Sequence, residues 1–263
     1  MKNLIHDIKK VPKDKKLIVF DLDGTLTESK EDMDREMALL MRKLLEKKKV
    51  AVIGGGKDSL FQRQLLTKLR NIPKELLRNI FLFPTTSTAF YRYDGKEWQE
   101  IYKRQLSLEE RREIVLAFEK TFVELNYTHP KKIYGQLIED RETQVTFSAL
   151  GQKAPFPMKD KWKKEHTDIK LKIAKRVQEH LPNLEVRAAG YTSIDVTRKG
   201  IDKEYGMNQI KEYLNTSFDD MLFVGDAFFS GGNDSAALRT GVLCFEVKKV
   251  KDTKKLIRHL LAD

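Results

Sequence analysis

Asp21-Leu22-Asp23-Gly24-Thr25-Leu26-Thr27 follows directly on the apolar run Leu17-Ile18-Val19-Phe20. Two carboxylates one residue apart, at the end of what reads as a buried strand, lie where open α/β sheets bind ligands, beyond the strand's carboxyl end. Held close together they repel, and a divalent cation is the usual remedy. A few hard oxygen ligands, with positions open to water and phosphate, suit Mg²⁺. Gly24 permits the tight bend that swings the second carboxylate back toward the first. A structural turn would need one Asp at most, so the heptapeptide as a whole points to chemistry.

Two more apolar runs end in small or acidic residues. Val50 to Ile53 leads into Gly54-Gly55-Gly56-Lys57-Asp58-Ser59, and Met221 to Val224 leads into Gly225-Asp226. The glycine segment is not a P-loop, because the position five before Gly56 is Ala51 and Asp58 stands where Ser or Thr is required. Nor is it a dinucleotide fingerprint, since Ser59 occupies the third glycine position. His6, His129, His166, His180 and His259 are scattered without ligand spacing, which argues against zinc.

The elements that carry these strand ends alternate. Unbroken apolar runs read as strands buried on both faces, the mark of a parallel sheet. Between them lie helical patterns such as Met33 to Lys48, with its Met37, Leu40, Met41, Leu44 and Leu45 stripe. A last strand at Val242 to Val247 and a helix around Thr253 to Leu261 close the chain. The pattern predicts a doubly wound parallel-sheet, Rossmann-like α/β core. The middle differs. Ser107 to Glu110 is a capping box before an amphipathic helix, and Gln144 to Leu150 alternates as a strand with one covered face. A basic helix from about Asp160 to His180 then leads to short strands at Glu185–Ala189 and Thr192–Val196. Residues 88–198 therefore read as an inserted α+β domain, and residues 1–87 and 199–263 as the two halves of the core. Trp98 and Trp162 read as packing or surface residues of the insert.

Composition narrows the class. The chain has 263 residues, 40% of them apolar, with a single cysteine, Cys244. That supports a sizeable core, rules out a disulfide scaffold or a multi-cysteine zinc site, and fits a reducing cytoplasm. No run has the length and apolarity of a signal peptide or membrane helix, so no membrane association is expected. Lys plus Arg outnumber Asp plus Glu by 50 to 39, a net charge of +11 that favours anionic partners. The densest basic block, Lys153 to Arg176, reads as a solvated helix face. No RNA-binding motif, Cys/His finger or basic heptad accompanies the charge, so nucleic acid is not the expected partner.

The first motif resembles the DxDGT of the haloacid dehalogenase superfamily of phosphotransferases. The resemblance implies that Asp21 attacks phosphorus to form an aspartyl phosphate, while Asp23 protonates the leaving oxygen and activates the incoming one. The Asp21 carboxylate and the Asp23 main-chain carbonyl would hold Mg²⁺. Gly225 to Asp234 looks like the fourth motif, with Asp226 the third metal ligand and Asp234 its support. Lys203, in Gly200-Ile201-Asp202-Lys203, matches the third-motif lysine that neutralises Asp21 and the phosphoryl group. The second motif departs from the pattern. Relatives carry a Ser or Thr there, so backbone N–H groups around Gly55 and Gly56 must cradle the phosphate, or Ser59 must reach in.

Within the subfamily that carries an inserted α/β cap, nearly the whole chain is similar to the eukaryotic-type phosphomannomutases and their bacterial hydrolase relatives. Phe83-Pro84, Arg141, Ser193-Ile194-Asp195 and Gly231-Gly232-Asn233-Asp234 carry the likeness. By resemblance Arg141 grips the distal phosphate of the sugar, and Ser193 and Asp195 its hydroxyls. Other family arginines are missing: Gln152 follows Leu150-Gly151, Lys159 comes after it, and Lys30 stands near the first motif. Arg binds phosphate bidentately where Lys acts as a point charge. The expectation is thus a Mg²⁺-dependent hexose-phosphate phosphatase acting on a small sugar phosphate, with phosphomannomutase as the alternative. A noncatalytic binding protein is disfavoured by intact Asp21, Asp23, Lys203 and Asp226, and a homodimer is allowed.

Overall fold

The computed structural model describes residues 3–29, 31–229 and 232–262. Gly231, which carries part of the family likeness, and Lys30, which departs from it, lie outside them. The chain divides into two compact units, Met1–Lys103 with Asp202–Asp263, and Arg104–Ile201. Among the described residues twelve strands are present: β1 (Leu4–Ile5), β2 (Leu17–Asp21), β3 (Lys49–Ile53), β4 (Ile80–Phe83), β5 (Ala89–Tyr93), β6 (Trp98–Lys103), β7 (Ile138–Asp140), β8 (Val145–Ser148), β9 (Leu184–Ala189), β10 (Ser193–Arg198), β11 (Met221–Gly225) and β12 (Leu243–Glu246).

The core sheet runs β1-β12-β11-β2-β3-β4-β5-β6. It is parallel from β1 to β4 and ends in the antiparallel pair β5–β6. Its apolar runs are unbroken because both faces are covered. Ile18, Phe20, Val50 and Val52 pack against Met37, Met41 and Leu44 of helix Arg35–Lys47 and Leu256, Ile257 and Leu260 of helix Val250–Leu261. The alternate residues Leu17, Val19, Ala51, Ile53 and Phe223 pack against Met207 and Ile210 of helix Lys203–Leu214. Each fully buried side chain of this size contributes about 1.5–3 kcal/mol. Chain order reverses between β2 and β11, the kind of switch point at whose carboxyl end open α/β sheets bind ligands.

The insert starts later than expected. Residues 89–103 form β5 and β6 at the edge of the core sheet, where Phe90 stacks on Phe83 with ring centroids 4.4 Å apart. A hairpin turning at Asp94-Gly95 looks the same in sequence whichever sheet it joins. Trp98 accordingly packs against the core and not within the insert.

In the second unit, Ser107 caps helix Leu108–Glu124, with Glu110 completing the capping box. The sheet β7-β8-β10-β9 is antiparallel. Val145, Phe147, Ile194 and Val196 meet Phe118, Trp162, Ile173 and Val177 in its apolar layer. The other face of β8 is not open, contrary to expectation: Thr146 and Ser148 are also buried. Thr146 donates to Asp195 at 2.7 Å and Ser148 shares a hydrogen bond with Thr192 at 3.0 Å, so polar partners close that face. Nor is the basic helix Phe156–His180 wholly solvated, because Lys159 and Lys170 are buried. No helix among the described residues is long and apolar enough to cross a membrane.

Candidate active site

β2 delivers Asp21 to the carboxyl end of the sheet as a buried residue. The chain then folds back, the Leu22 carbonyl accepting from the Leu26 and Thr27 amides at 3.0 Å and the Thr27 carbonyl from Gly24 at 2.7 Å. Gly24 sits at φ +88°, and a Cβ there would lie 2.4 Å from Oδ2 of Asp226. Glycine is therefore required for its conformation and because the Asp226 carboxylate presses against it. The neighbouring strand β11 supplies that carboxylate. Just beyond it, Oδ2 of Asp234 accepts the amides of Asp226 at 3.0 Å and Ala227 at 2.9 Å, which fixes the turn.

Lys203 opens helix Lys203–Leu214, whose N-cap Asp202 accepts from the Tyr205 amide at 3.0 Å. Only 1% exposed, its Nζ lies 2.5 Å from Oδ1 of Asp21 and 3.3 Å from Oδ1 of Asp234. Asp21, Lys203, Asp226 and Asp234, remote in sequence, are thus brought together. The electrostatics are one-sided. Burial pushes the Asp21 carboxyl well up, opposed by Lys203 and reinforced by Asp234 and Asp226. Burial, with Asp234 beside it, lifts Asp226 to about 6. Burial alone would lower Lys203, but Asp21 and Asp234 outweigh it and hold the ammonium charged.

One ammonium among three carboxylates leaves negative charge in excess, and this donor set fits a divalent cation. No group of three or more His, Cys, Asp or Glu side chains is placed to hold a metal among the described residues. Mg²⁺ takes one or two carboxylates and keeps several waters, and the carboxylates of Asp21 and Asp226 are the donors this site offers. Asp234 accepts two backbone amides through Oδ2 and faces Lys203 at 3.3 Å through Oδ1, so its carboxylate is held by the protein around it.

Beyond β3, the Gly54–Gly56 loop is tied to the segment after β4. The Thr85 amide donates to Gly56 and the Thr86 amide to Gly54, both at 2.8 Å. Thr85, Thr86 and Ser87 stand at φ 48°, 54° and 65°, three successive left-handed residues without a glycine. Gly55 has open space where a Cβ would project, whereas at Gly56 it would meet Leu60 at 2.3 Å. A phosphate can therefore approach the backbone at Gly55. Ser59 lies exposed in the turn Asp58–Phe61. The sequence did not single out Gln64, on the π-helical turn Gln62–Leu66, yet its side-chain amide donates to Asp23 at 3.3 Å. The only hint was a polar residue inside an apolar helical pattern.

In the second unit, Arg141 donates through Nε to Glu139 at 2.8 Å and through a terminal nitrogen to Oε1 of Gln152 at 3.2 Å. Ser193 and Asp195 are half-buried on β10, opposite Ser148 and Thr146 of β8. These residues share the polar face of that sheet.

A family model described as eukaryotic phosphomannomutase matches residues 37–263. The probable phosphomannomutase of Caenorhabditis elegans is 24% identical over 256 residues, which cover 94% of this chain and 96% of that protein. Among solved structures, an N-terminally truncated Plasmodium falciparum IMP-nucleotidase superposes with a TM-score of 0.68 at 19% identity, over 97% of this chain and 70% of that one. A haloacid dehalogenase-like hydrolase from Bacteroides thetaiotaomicron gives 0.57 at 17% identity, over 92% of each chain. The fold is that of the haloacid dehalogenase superfamily. The relatives correct the expectation of a phosphatase, which rested on missing arginines. Gln152 is not simply an absent guanidinium: it accepts from Arg141 and donates to the Thr146 carbonyl at 3.3 Å, so it orients the arginine that remains.

Proposed function

The chain belongs to the eukaryotic phosphomannomutase family, and on that premise we propose that it interconverts the 6- and 1-phosphates of mannose through an aspartyl phosphate on Asp21. The family match carries the choice of reaction, and the buried Asp21–Lys203 pair supports the choice of nucleophile. With Oδ1 of Asp21 held by Lys203, Oδ2 is the attacking oxygen. Phosphorylated Asp21 gives its phosphoryl group to the unesterified hydroxyl of a hexose monophosphate. The Asp21 oxygen–phosphorus bond breaks as Asp23 takes the hydroxyl proton. The resulting bisphosphate turns end for end and returns its other phosphoryl group to Asp21, with Asp23 protonating the oxygen that leaves. Lys203 offsets the charge that accumulates on Asp21 and phosphorus. Mg²⁺ held by the carboxylates of Asp21 and Asp226 and the main-chain carbonyl of Asp23 would supply the positive charge that lets a phosphate dianion approach a carboxylate. Backbone groups at Gly55 and Gly56 receive the transferring phosphoryl group, Arg141 binds the distal phosphate, and Ser193 and Asp195 bind sugar hydroxyls. The cytoplasm is the compartment that a lone buried Cys244 suits.

The test is to incubate the protein with mannose 1-phosphate, Mg²⁺ and a trace of hexose 1,6-bisphosphate, and to follow the phosphorus NMR spectrum. Mannose 6-phosphate should accumulate toward equilibrium. Inorganic phosphate as the main product, or no turnover, would refute the reading.

A further inference from the structure

Gln64 is completely buried, yet it is a carboxamide among apolar neighbours: Phe61, Leu65 and Leu69 all belong to the core. The π-helical turn at Gln62–Leu66 widens the chain there, so Gln64 is buried alongside Phe61 and Leu65. Such turns recur at functional sites. From this position Nε2 faces three acceptors: the Glu31 carbonyl at 2.7 Å, Oδ1 of Asp23 at 3.3 Å and Oγ1 of Thr27 at 3.4 Å. The Gln64 carbonyl in turn accepts the Met33 amide at 2.9 Å. One residue thus ties the first-motif loop to the segment that follows it. Oε1 of Gln64 is buried without a hydrogen-bond partner among the described residues. A buried unpartnered acceptor is costly, and an apolar side chain of the same length would avoid that cost. The amide is therefore kept for what its nitrogen donates.

We propose that Gln64 is a positioning residue for Asp23. By donating to Oδ1 it fixes the carboxyl's rotation and so the direction in which the Asp23 carboxyl meets the sugar oxygen. This rests on Asp23 being the general acid and base.

The test compares Gln64→Met, which keeps the length without the donor, Gln64→Glu, which puts an acceptor in the donor's place, and Asp23→Asn. Steady-state isomerisation of mannose 1-phosphate, thermal unfolding and the burst of phenolate from 2,4-dinitrophenyl phosphate are measured for each. Gln64→Met should lower kcat about tenfold and leave KM within about twofold, with a modest fall in melting temperature because the Glu31 carbonyl loses its donor. Gln64→Glu should lose more. The dinitrophenolate burst should be unchanged, because that group leaves without a proton. An unchanged kcat in both Gln64 variants, or equal losses on the sugar and dinitrophenyl esters, overturns the proposal. If Asp23→Asn is impaired while the Gln64 variants are normal, this inference alone fails. If Asp23→Asn turns over sugar phosphate normally, the acid–base reading beneath it fails.

Discussion

Asp226→Asn should make the metal-free protein more stable while abolishing its activity. The carboxyl is lifted from an ordinary 3.8 to about 6 by burial and by Asp234. One pH unit corresponds to about 1.4 kcal/mol, so keeping Asp226 ionised in the fold costs about 3 kcal/mol at neutral pH. The amide has the same shape, and the backbone amide of residue 226 keeps its bond to Asp234. For a unit of this size the gain corresponds to a rise of roughly 5–10 °C in melting temperature. The sign with pH follows. The folded carboxyl holds its proton more tightly than the unfolded chain does, so this stabilisation is present in full below about 4 and lost as pH rises through about 6. Metal-free parent protein should therefore melt higher at pH 5 than at pH 7, and Asp226→Asn should show a shallower slope. Melting is followed by near-UV circular dichroism in chelator and again in millimolar Mg²⁺. The parent should gain stability from Mg²⁺ and the variant little. A variant that melts lower than the parent in chelator, or that gains as much from Mg²⁺, would refute the reasoning.

Asp21→Asn should abolish turnover while leaving far-UV circular dichroism intact, since no amide can form the acyl phosphate; activity within tenfold of the parent, measured by coupled assay, would count against the nucleophile. Gly24→Ala should cost about 1–3 kcal/mol by chemical denaturation, because it strains a left-handed position. It should also weaken Mg²⁺ activation, since its Cβ falls 2.4 Å from Asp226. Arg141→Lys should raise KM for mannose 1-phosphate about tenfold or more in steady-state kinetics with little change in kcat, since a point charge replaces a fork; an unchanged KM would remove Arg141 from the substrate site.

What the sequence made legible was whatever has a local signature. Unbroken apolar runs marked β2, β3 and β11 because a strand covered on both faces has no polar side, and Ser107 with Glu110 marked a helix start through reciprocal bonds three residues apart. Asp21, Asp23 and Asp226 stood out because each follows a buried strand, whereas Lys203 and Asp234 were picked out only by their likeness to the superfamily's motifs. Long-range partnership was not legible. Nothing in Asp94-Gly95 says which sheet its hairpin joins, and nothing in Thr146 or Ser148 says that Asp195 and Thr192 will close the face they occupy. Gln64 was missed because nothing local says that its amide will meet Asp23, 41 residues earlier in the chain. The choice between phosphatase and mutase misled for another reason: counting arginines assigns no value to a glutamine that orients one.

Thr85-Thr86-Ser87 has a consequence for the order in which the chain folds. A left-handed residue other than glycine costs about 1–2 kcal/mol, so this tripeptide has no tendency to adopt its native shape in the unfolded chain. It can close only after β3 and β4 are paired and the Gly54 and Gly56 carbonyls stand ready to receive the Thr85 and Thr86 amides. Formation of the turn therefore follows that pairing, and the turn can open while the pairing persists. The same two amides anchor the glycine loop. Brief local opening, seen as fast hydrogen exchange at Thr85 and Thr86, would thus loosen the loop long before the sheet beneath it gives way.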